Sequence, residues 1–375
     1  MGNEIEKVND KRPVIAMCYD FDKTLSPKDM QEYTLFDHLG VESGAFWRES
    51  NDFAKRKGMC RTLSYMKLVL DKFKRKSDDI TLTRADFKNM GKAVDLFKGV
   101  DTWFDRINSY GEEKGVVVEH YIISAGLKEI IEGTTIRPYF KEVYASCFYY
   151  DKSDVPVWPE QVVNYTQKTQ YLFRINKGCL DLGDEDSVNK ASPDDARRIP
   201  FSRFIYIGDS DTDIPAMKVV KKEKGFSIGV FNPDKYDGAL KVCALLDQDR
   251  INFFAPADYT SGSVLEVYVK KAIDQIKANS EIVEVTNAQK GISDLIRHLG
   301  MMKMYMDDKI KCSTIEELDD VAKDVERFFR AIQKQIIFLY KGDCLNPKHI
   351  LQAVKHIKSE LDVEIKKRKQ RNDKK

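Results

Sequence analysis

Two kinds of apolar pattern alternate along the chain. Short unbroken runs at 14–18, 116–123, 143–150, 204–207, 226–231 and 251–255 have the length and texture of strands buried in a parallel sheet. Between them, apolar residues recur every three or four positions, as on one face of a helix. Met30, Tyr33, Phe36 and Leu39 form one such stripe, and Leu63, Met66, Val69, Leu70 and Phe73 a second. Thr83 and Asp101 read as N-caps of two further helices, and Phe87, Met90, Val94 and Phe97 give the first of these its inner face. Residues 29–115 therefore predict a block of about four or five helices set between the first strand and the second.

After residue 116 strands and helices alternate. The stretch LKEIIEG after Gly126, the run TQYLFRIN after Lys168, a short piece from Ile214 and residues 263–277 all predict helices. Pro156 and Pro159 make 155–163 a loop or an edge strand, and 181–200 is an acidic, polar surface excursion. Beyond Ser280 the texture becomes wholly helical. Ile292, Leu295, Ile296, Leu299 and Met302 lie on one stripe. Ile315, Leu318, Val325, Phe328, Ile332 and Ile336 lie on another, behind a capping box of Ser313 and Glu316. Asn346 and Pro347 open a third helix carrying Ile350, Leu351, Val354, Ile357 and Leu361. These stripes can pack on each other, on the sheet or on a second copy of the chain. No internal repeat or low-complexity linker is evident.

Composition narrows this picture only modestly. Apolar residues make up 42% of the 375, enough for a proper core, and the formal charge of +2 points to no particular partner. The charge is uneven, because residues 366–375 carry about +6. A basic tail of that kind is ordinarily a solvated segment, and nucleic acid is not an expected partner. The seven cysteines are scattered, with no C-x-x-C pair and nothing resembling a disulfide framework or a zinc site; Cys18 and Cys147 fall in apolar runs and read as core thiols. The first residues lack an apolar segment, Gly2 lacks the Ser or Thr that myristoylation needs, and no window is long enough to span a membrane. The expected location is the cytoplasm.

Candidate chemistry sits at the strand ends. The run 14–18 leads into Asp20, Asp22 and Thr24, and 116–123 leads into Ser124, Ala125 and Gly126. Lys168 opens a helix, and 204–207 leads into Gly208-Asp209-Ser210-Asp211-Thr212-Asp213. Ligands of parallel α/β sheets bind beyond the carboxyl ends of the strands. Two carboxylates there supply a nucleophile and a proton donor, and a further acidic cluster supplies hard oxygen ligands for Mg²⁺. Taken singly, each has a plainer reading. Aspartates also end strands as turn residues. His120, inside a strand, reads as a packed core residue. Lys177 competes with Lys168, but lies beside Gly178 where a cation suits a helix C-terminus. Asp211 reads as a turn residue.

Together, DFDKTL, IISAG, Lys168 and GDSDTD resemble the four ordered motifs of the haloacid dehalogenase superfamily, over roughly residues 12–278. That resemblance implies a Rossmann-like α/β core of residues 12–27 and 116–278, an all-helical cap at 28–115, and a C-terminal helical region at 279–375 outside it. It implies Asp20 as nucleophile and Asp22 as general acid–base, with Ser124, Ala125, Lys168 and Thr24 around the phosphoryl group. It further implies Mg²⁺ bound by Asp20, Asp22, Asp209 and Asp213, with Asp22 using its backbone carbonyl. The helical insert is similar to the phosphoserine phosphatase-like branch. That branch carries Glu where Asp29 stands, commonly glycine where Lys23 stands, and a different cap motif from KGMCRTLSYMKLVL, in which Arg61 is out of pattern.

The resulting expectation is a Mg²⁺-dependent phosphatase acting on a small phosphorylated metabolite through an aspartyl-phosphate. The alternatives are a phosphotransferase or mutase of the same superfamily, and an interaction protein that uses its C-terminal helices, including for self-association.

Overall fold

The computed structural model describes residues 12–75, 82–191, 193, 197–209, 211–312, 314, 317–339 and 348–372. Gly2, the Ser313–Glu316 capping box and the Asn346–Pro347 start fall outside these residues, as do the side chains of Ile292, Leu295, Leu299 and Met302. The chain divides into two compact units, Met1–Lys277 and Ala278–Lys375.

The first unit is built on a seven-stranded sheet. Its strands are β1 (Val14–Tyr19), β2 (Val117–Leu127), β3 (Phe140–Tyr150), β4 (Pro156–Gln161), β5 (Phe204–Gly208), β6 (Phe226–Phe231) and β7 (Phe253–Pro256), in the order β4-β3-β2-β1-β5-β6-β7. All neighbours are parallel except β4, which runs antiparallel to β3 at the edge. The prolines at 156 and 159 are tolerated there because one side of an edge strand makes no ladder bonds. From β1 the chain steps outward through β2 and β3, then returns to the other flank of β1 with β5. That reversal makes the carboxyl end of β1 a topological switch point, where such sheets bind ligands.

Alternation along each strand sorts side chains between two apolar layers. Ile15, Met17 and Tyr19 of β1, with Ile205 and Ile207 of β5, belong to one layer; Ala16 and Cys18, with Phe204 and Tyr206, belong to the other. The second layer is closed by α7 (Gln167–Lys177), α9 (Ile214–Lys222) and α10 (Tyr236–Asp247), through residues such as Leu172, Met217 and Leu245. Helix α8 (Glu185–Asn189) lies in the polar excursion, where the buried Arg174 guanidinium donates to the carbonyls of Asp181, Leu182 and Asp184. Helix α6 (Lys128–Glu132) follows β2.

The first layer carries the insert. It contains α1 (Leu35–Leu39), α2 (Ser43–Lys57), α3 (Arg61–Arg75), α4 (Arg84–Met90) and α5 (Val100–Glu113). Thr83 caps α4 through a complete capping box with Asp86. Helix α5 lies at the end of the expected cap of residues 28–115. Helix α5 packs on the sheet itself: Val100, Trp103, Phe104 and Ile107 are fully buried, and Trp103 Nε1 donates to Tyr19 of β1 at 3.0 Å. Its N-cap is Gly99, with Asp101 inside the first turn. Among the described residues of α1–α4, Phe36, Met66 and Phe87 share one apolar cluster with the sheet, and Phe87 lies on Phe148 of β3.

Helix α11 (Val264–Cys312) begins on this layer with Leu265, Val269, Ala272, Ile273 and Ile276. In the second unit, Met306 joins Val321, Val325, Phe329 and Ile332 of α12 (Leu318–Leu339) and Val354, Leu361 and Ile365 of α13 (Lys348–Asn372) in one seam. No helix among the described residues is long and apolar enough to cross a membrane.

Candidate active site

The carboxyl ends of β1 and β5 converge on one acidic centre. The Asp20 N–H donates to Ile207 O at 3.0 Å, so β1 stays tied to β5 past the end of its ladder. One carboxylate oxygen of Asp20 accepts from Phe21 N–H at 2.8 Å, and the other meets Lys168 Nζ at 2.8 Å. Lys168, fully buried on the first turn of α7, also reaches Asp213 Oδ1 at 2.7 Å, where the Tyr206 hydroxyl donates at the same distance. Oxygens of Asp20, Asp209 and Asp213 lie within 4.8 Å of one another. A Cβ on Gly208 would stand 2.6 Å from the Asp213 carboxyl carbon, so a glycine is required for that carboxylate to fold back on the strand end.

Asp22 stands across from Asp20. Its Oδ1 accepts from Met30 N–H at 2.7 Å, and a Cβ on Gly126 would stand 2.8 Å from its Oδ2. The glycine of IISAG thus makes room for the second acid. Lys23 follows in a left-handed conformation (φ 59°) that favours glycine, and its Nζ clasps Asp29 at 2.7 and 2.9 Å. Thr24 is buried; its carbonyl accepts from Tyr259 OH at 2.8 Å, while its hydroxyl has no hydrogen-bond partner among the described residues.

The two acids are held in different electrostatic surroundings. Burial raises the Asp20 carboxyl to about 6, against the opposing pull of the Lys168 ammonium. Burial raises Asp22 well above the usual carboxylate range, reinforced by Asp29 and Asp20, with no lysine in direct contact among the described residues. Asp209 is likewise raised, by burial and then by Asp213 and Asp20, which marks a site short of positive charge. All-oxygen donors with no His or Cys among them suit a hard divalent cation such as Mg²⁺, and crowded carboxylates that resist ionisation are what such a cation relieves. The residues therefore fit the metal.

Ser124 is placed differently from expectation. Strand β2 runs on to Leu127, with a register shift against β3 between Ser124 and Leu127, and α6 begins only at Lys128. Ser124 sits at this bulge inside β2 rather than just beyond the strand's end, and its oxygen accepts from Gly126 N–H at 3.0 Å. Bulges beside active sites commonly re-aim a side chain. Ala125 turns its carbonyl to the Tyr65 hydroxyl of α3 at 2.8 Å. Lys177 lies elsewhere, donating to the carbonyls of Val188 and Lys190. His120 is buried between Tyr19 OH and Asn108 Oδ1, 3.0 Å from each, a core residue as expected. Cys18 is buried, whereas Cys147 is only half-buried. Tyr206, Tyr65 and Tyr259 escape a reading of the sequence, because a tyrosine in a strand or helix carries no mark of where its hydroxyl ends.

A doubly layered α/β fold with an acidic centre at its switch point defines a hydrolase-type enzyme site. A family model described as haloacid dehalogenase-like hydrolase matches residues 18–218, just over half the chain. The chain belongs to that family. An uncharacterized protein of Borreliella burgdorferi (strain ATCC 35210 / DSM 4680 / CIP 102532 / B31) is 28% identical over 291 residues, covering 71% of this chain and 99% of the relative. Among solved structures, a HAD family hydrolase from Salmonella enterica subsp. enterica serovar Typhi aligns with a TM-score of 0.44 at 14% identity, covering 65% of this chain and 68% of that one. A phosphoserine phosphatase solved as a phospho-aspartyl intermediate analogue aligns with a TM-score of 0.42 at 12% identity, covering 69% and 99%.

Proposed function

We propose that the protein is a Mg²⁺-dependent phosphomonoesterase that acts on a small phosphorylated metabolite by way of an aspartyl-phosphate on Asp20. The observation that carries this reading is the Lys168 ammonium bridging Asp20 and Asp213 at 2.8 and 2.7 Å, with Asp209 alongside. A carboxylate is repelled by an anionic phosphate, and a fixed ammonium beside it offsets that repulsion and holds the attacking oxygen in place.

In this scheme Asp20 forms a bond to phosphorus while the ester oxygen leaves with the proton of Asp22. Asp22, now ionised, takes a proton from water as that water attacks phosphorus, and Asp20 and inorganic phosphate are released. The raised Asp22 supports the acid role, since burial and the neighbouring carboxylates favour its protonated form. Ser124 and the backbone of Ala125 would hold phosphoryl oxygens, and Thr24 would brace the loop. Asp20, Asp209, Asp213 and the backbone carbonyl of Asp22 would hold Mg²⁺, which supplies charge neutralisation at the phosphoryl oxygens.

The test is turnover of p-nitrophenyl phosphate with and without Mg²⁺. Asp20→Asn should abolish it, and phosphate release without added alcohol would favour hydrolysis over phosphotransfer. Activity in Asp20→Asn equal to the wild type would refute the scheme.

A self-associating role for the C-terminal helices is proposed separately. Met301, Met304 and Tyr305 of α11 are exposed in the second unit, an apolar content unusual for a solvated helix face. Sedimentation of the full chain against one ending at Lys277 tests it, with loss of a dimer on truncation as the expected result.

A further inference from the structure

A cavity of about 520 Å³, within the range of small-molecule sites, opens among the start of α4, helix α6, the later parts of β3 and β4, and the loop at 182–183. None of Asp20, Asp22, Ser124, Lys168, Asp209 and Asp213 borders it. Three carboxylates do: Glu129, Glu132 and Glu160.

Glu129 is the unusual one. It is only 3% exposed. Its Oε1 accepts from Phe148 N–H at 2.9 Å and from the Tyr150 hydroxyl at 3.1 Å, which ties α6 to β3. Its Oε2 is buried and makes no hydrogen bond among the described residues. A buried oxygen of this kind calls for a donor, and with Oε1 taken up by β3, Oε2 is the atom left for an occupant of the cavity that Glu129 borders. Burial raises the Glu129 carboxyl above its ordinary value even with Arg84 drawing it down, as for an acid short of counter-charge.

The other charges on the wall sharpen this demand. Arg84 and Lys128 also border the cavity, but each has an acid beyond it: Arg84 Nε lies 3.8 Å from Asp154, and Lys128 Nζ lies 3.7 Å from Glu142. The Arg84 guanidinium is further engaged over the Tyr150 ring, 4.3 Å from its centroid. Glu132 and Glu160 have no cation partner among the described residues; Glu160 meets only the Cys147 thiol, at 3.8 Å. A single metal ion does not suit these acids. Among the described residues, the one group of three acidic or thiol side chains whose ligand atoms lie within 4.8 Å of one another is Asp20, Asp209 and Asp213. Carboxylates set further apart suit a cation whose charges are themselves spaced along a carbon chain, and Leu182 gives that chain an apolar contact.

We propose that this cavity binds an aliphatic diamine or polyamine, with its ammonium groups shared among Glu129, Glu132 and Glu160 and its methylene chain against Leu182. The site is separate from the acidic centre and independent of the phosphatase reading.

Titration calorimetry of the full chain with putrescine tests it, in Mg²⁺ and at about 0.15 M salt to screen loose surface attraction. Saturable binding of one putrescine per chain is expected. The monoamine n-butylamine, with the same four carbons, should bind at least about 10-fold more weakly, the size of one charge-assisted hydrogen-bonded pair. Glu129→Gln should weaken putrescine by a similar factor, as should Glu132→Gln and Glu160→Gln combined. The combined variant changes no buried carboxyl, so it keeps the test open if Glu129→Gln does not fold. Asp209→Asn should leave the affinity unchanged. No saturable binding, equal affinity for n-butylamine, or full affinity in the combined variant overturns the assignment. So does loss of binding in Asp209→Asn, which would place the diamine on the acidic centre instead.

Discussion

Lys168 Nζ lies 2.8 Å from Asp20 Oδ2, although a helical insert, three further strands and a polar loop separate the end of β1 from the start of α7. The lysine is wholly buried and also touches Asp213, so its charge is matched only by acids of the centre itself. Burial of a cation is tolerable because two carboxylates meet it, and each carboxylate tolerates burial because of the cation.

Lys168→Met should therefore destabilise the metal-free protein by about 3–5 kcal/mol, since it leaves Asp20 and Asp213 facing each other without a counter-charge. Urea denaturation in EDTA measures this. Repeating it with Mg²⁺ should recover more stability in the variant than in the wild type, because the cation then replaces the lost ammonium.

Asp22→Asn should reduce turnover by an amount that depends on the leaving group. Proton donation is worth about 10²–10⁴-fold and matters most where the departing alkoxide is basic. An alkyl phosphate should lose far more rate than p-nitrophenyl phosphate. Equal losses on both esters would show that Asp22 acts by position or charge rather than as an acid.

Tyr206→Phe removes a hydroxyl that donates to Asp213 Oδ1. Lys168 still meets that oxygen, but the hydroxyl no longer fixes its orientation. Loss of such an orienting bond typically lowers metal affinity by about 10–100-fold. The Mg²⁺ concentration for half-maximal activity should rise accordingly, while the rate at saturating Mg²⁺ changes much less.

His120 makes stability depend on pH. Burial pushes its imidazole down to about 3 from an ordinary 6.5. Between these values the unfolded chain binds a proton that the folded chain refuses, so stability falls as pH drops below about 6.5, by up to about 1.4 kcal/mol per unit. Above 6.5 the contribution is fully present. His120→Gln, neutral throughout, should flatten this part of the stability profile between pH 6.5 and 4 relative to the wild type.

The order of strands, the acids at their ends and the helical insert are legible in the sequence because each rests on local spacing. The run at 14–18 must be buried on both faces, and acids directly after it can lie only at the sheet's carboxyl end. Helix α10 is missed, because its apolar residues give a weak stripe beside the strand-like runs around it. Helix α5 is assigned to the insert, since a stripe records that a helix buries one face but not which neighbour covers it. Likewise, the bond from Tyr259 to Thr24 and those of Tyr206 and Tyr65 have no local signature. What the sequence determined by itself is the set of reacting groups and the elements that carry them. Only the tertiary structure decided which lysine joins the acids and which tyrosines steady them. The reason is that charge pairing and hydrogen bonding act across a few ångströms of space, and chain separation does not encode that distance.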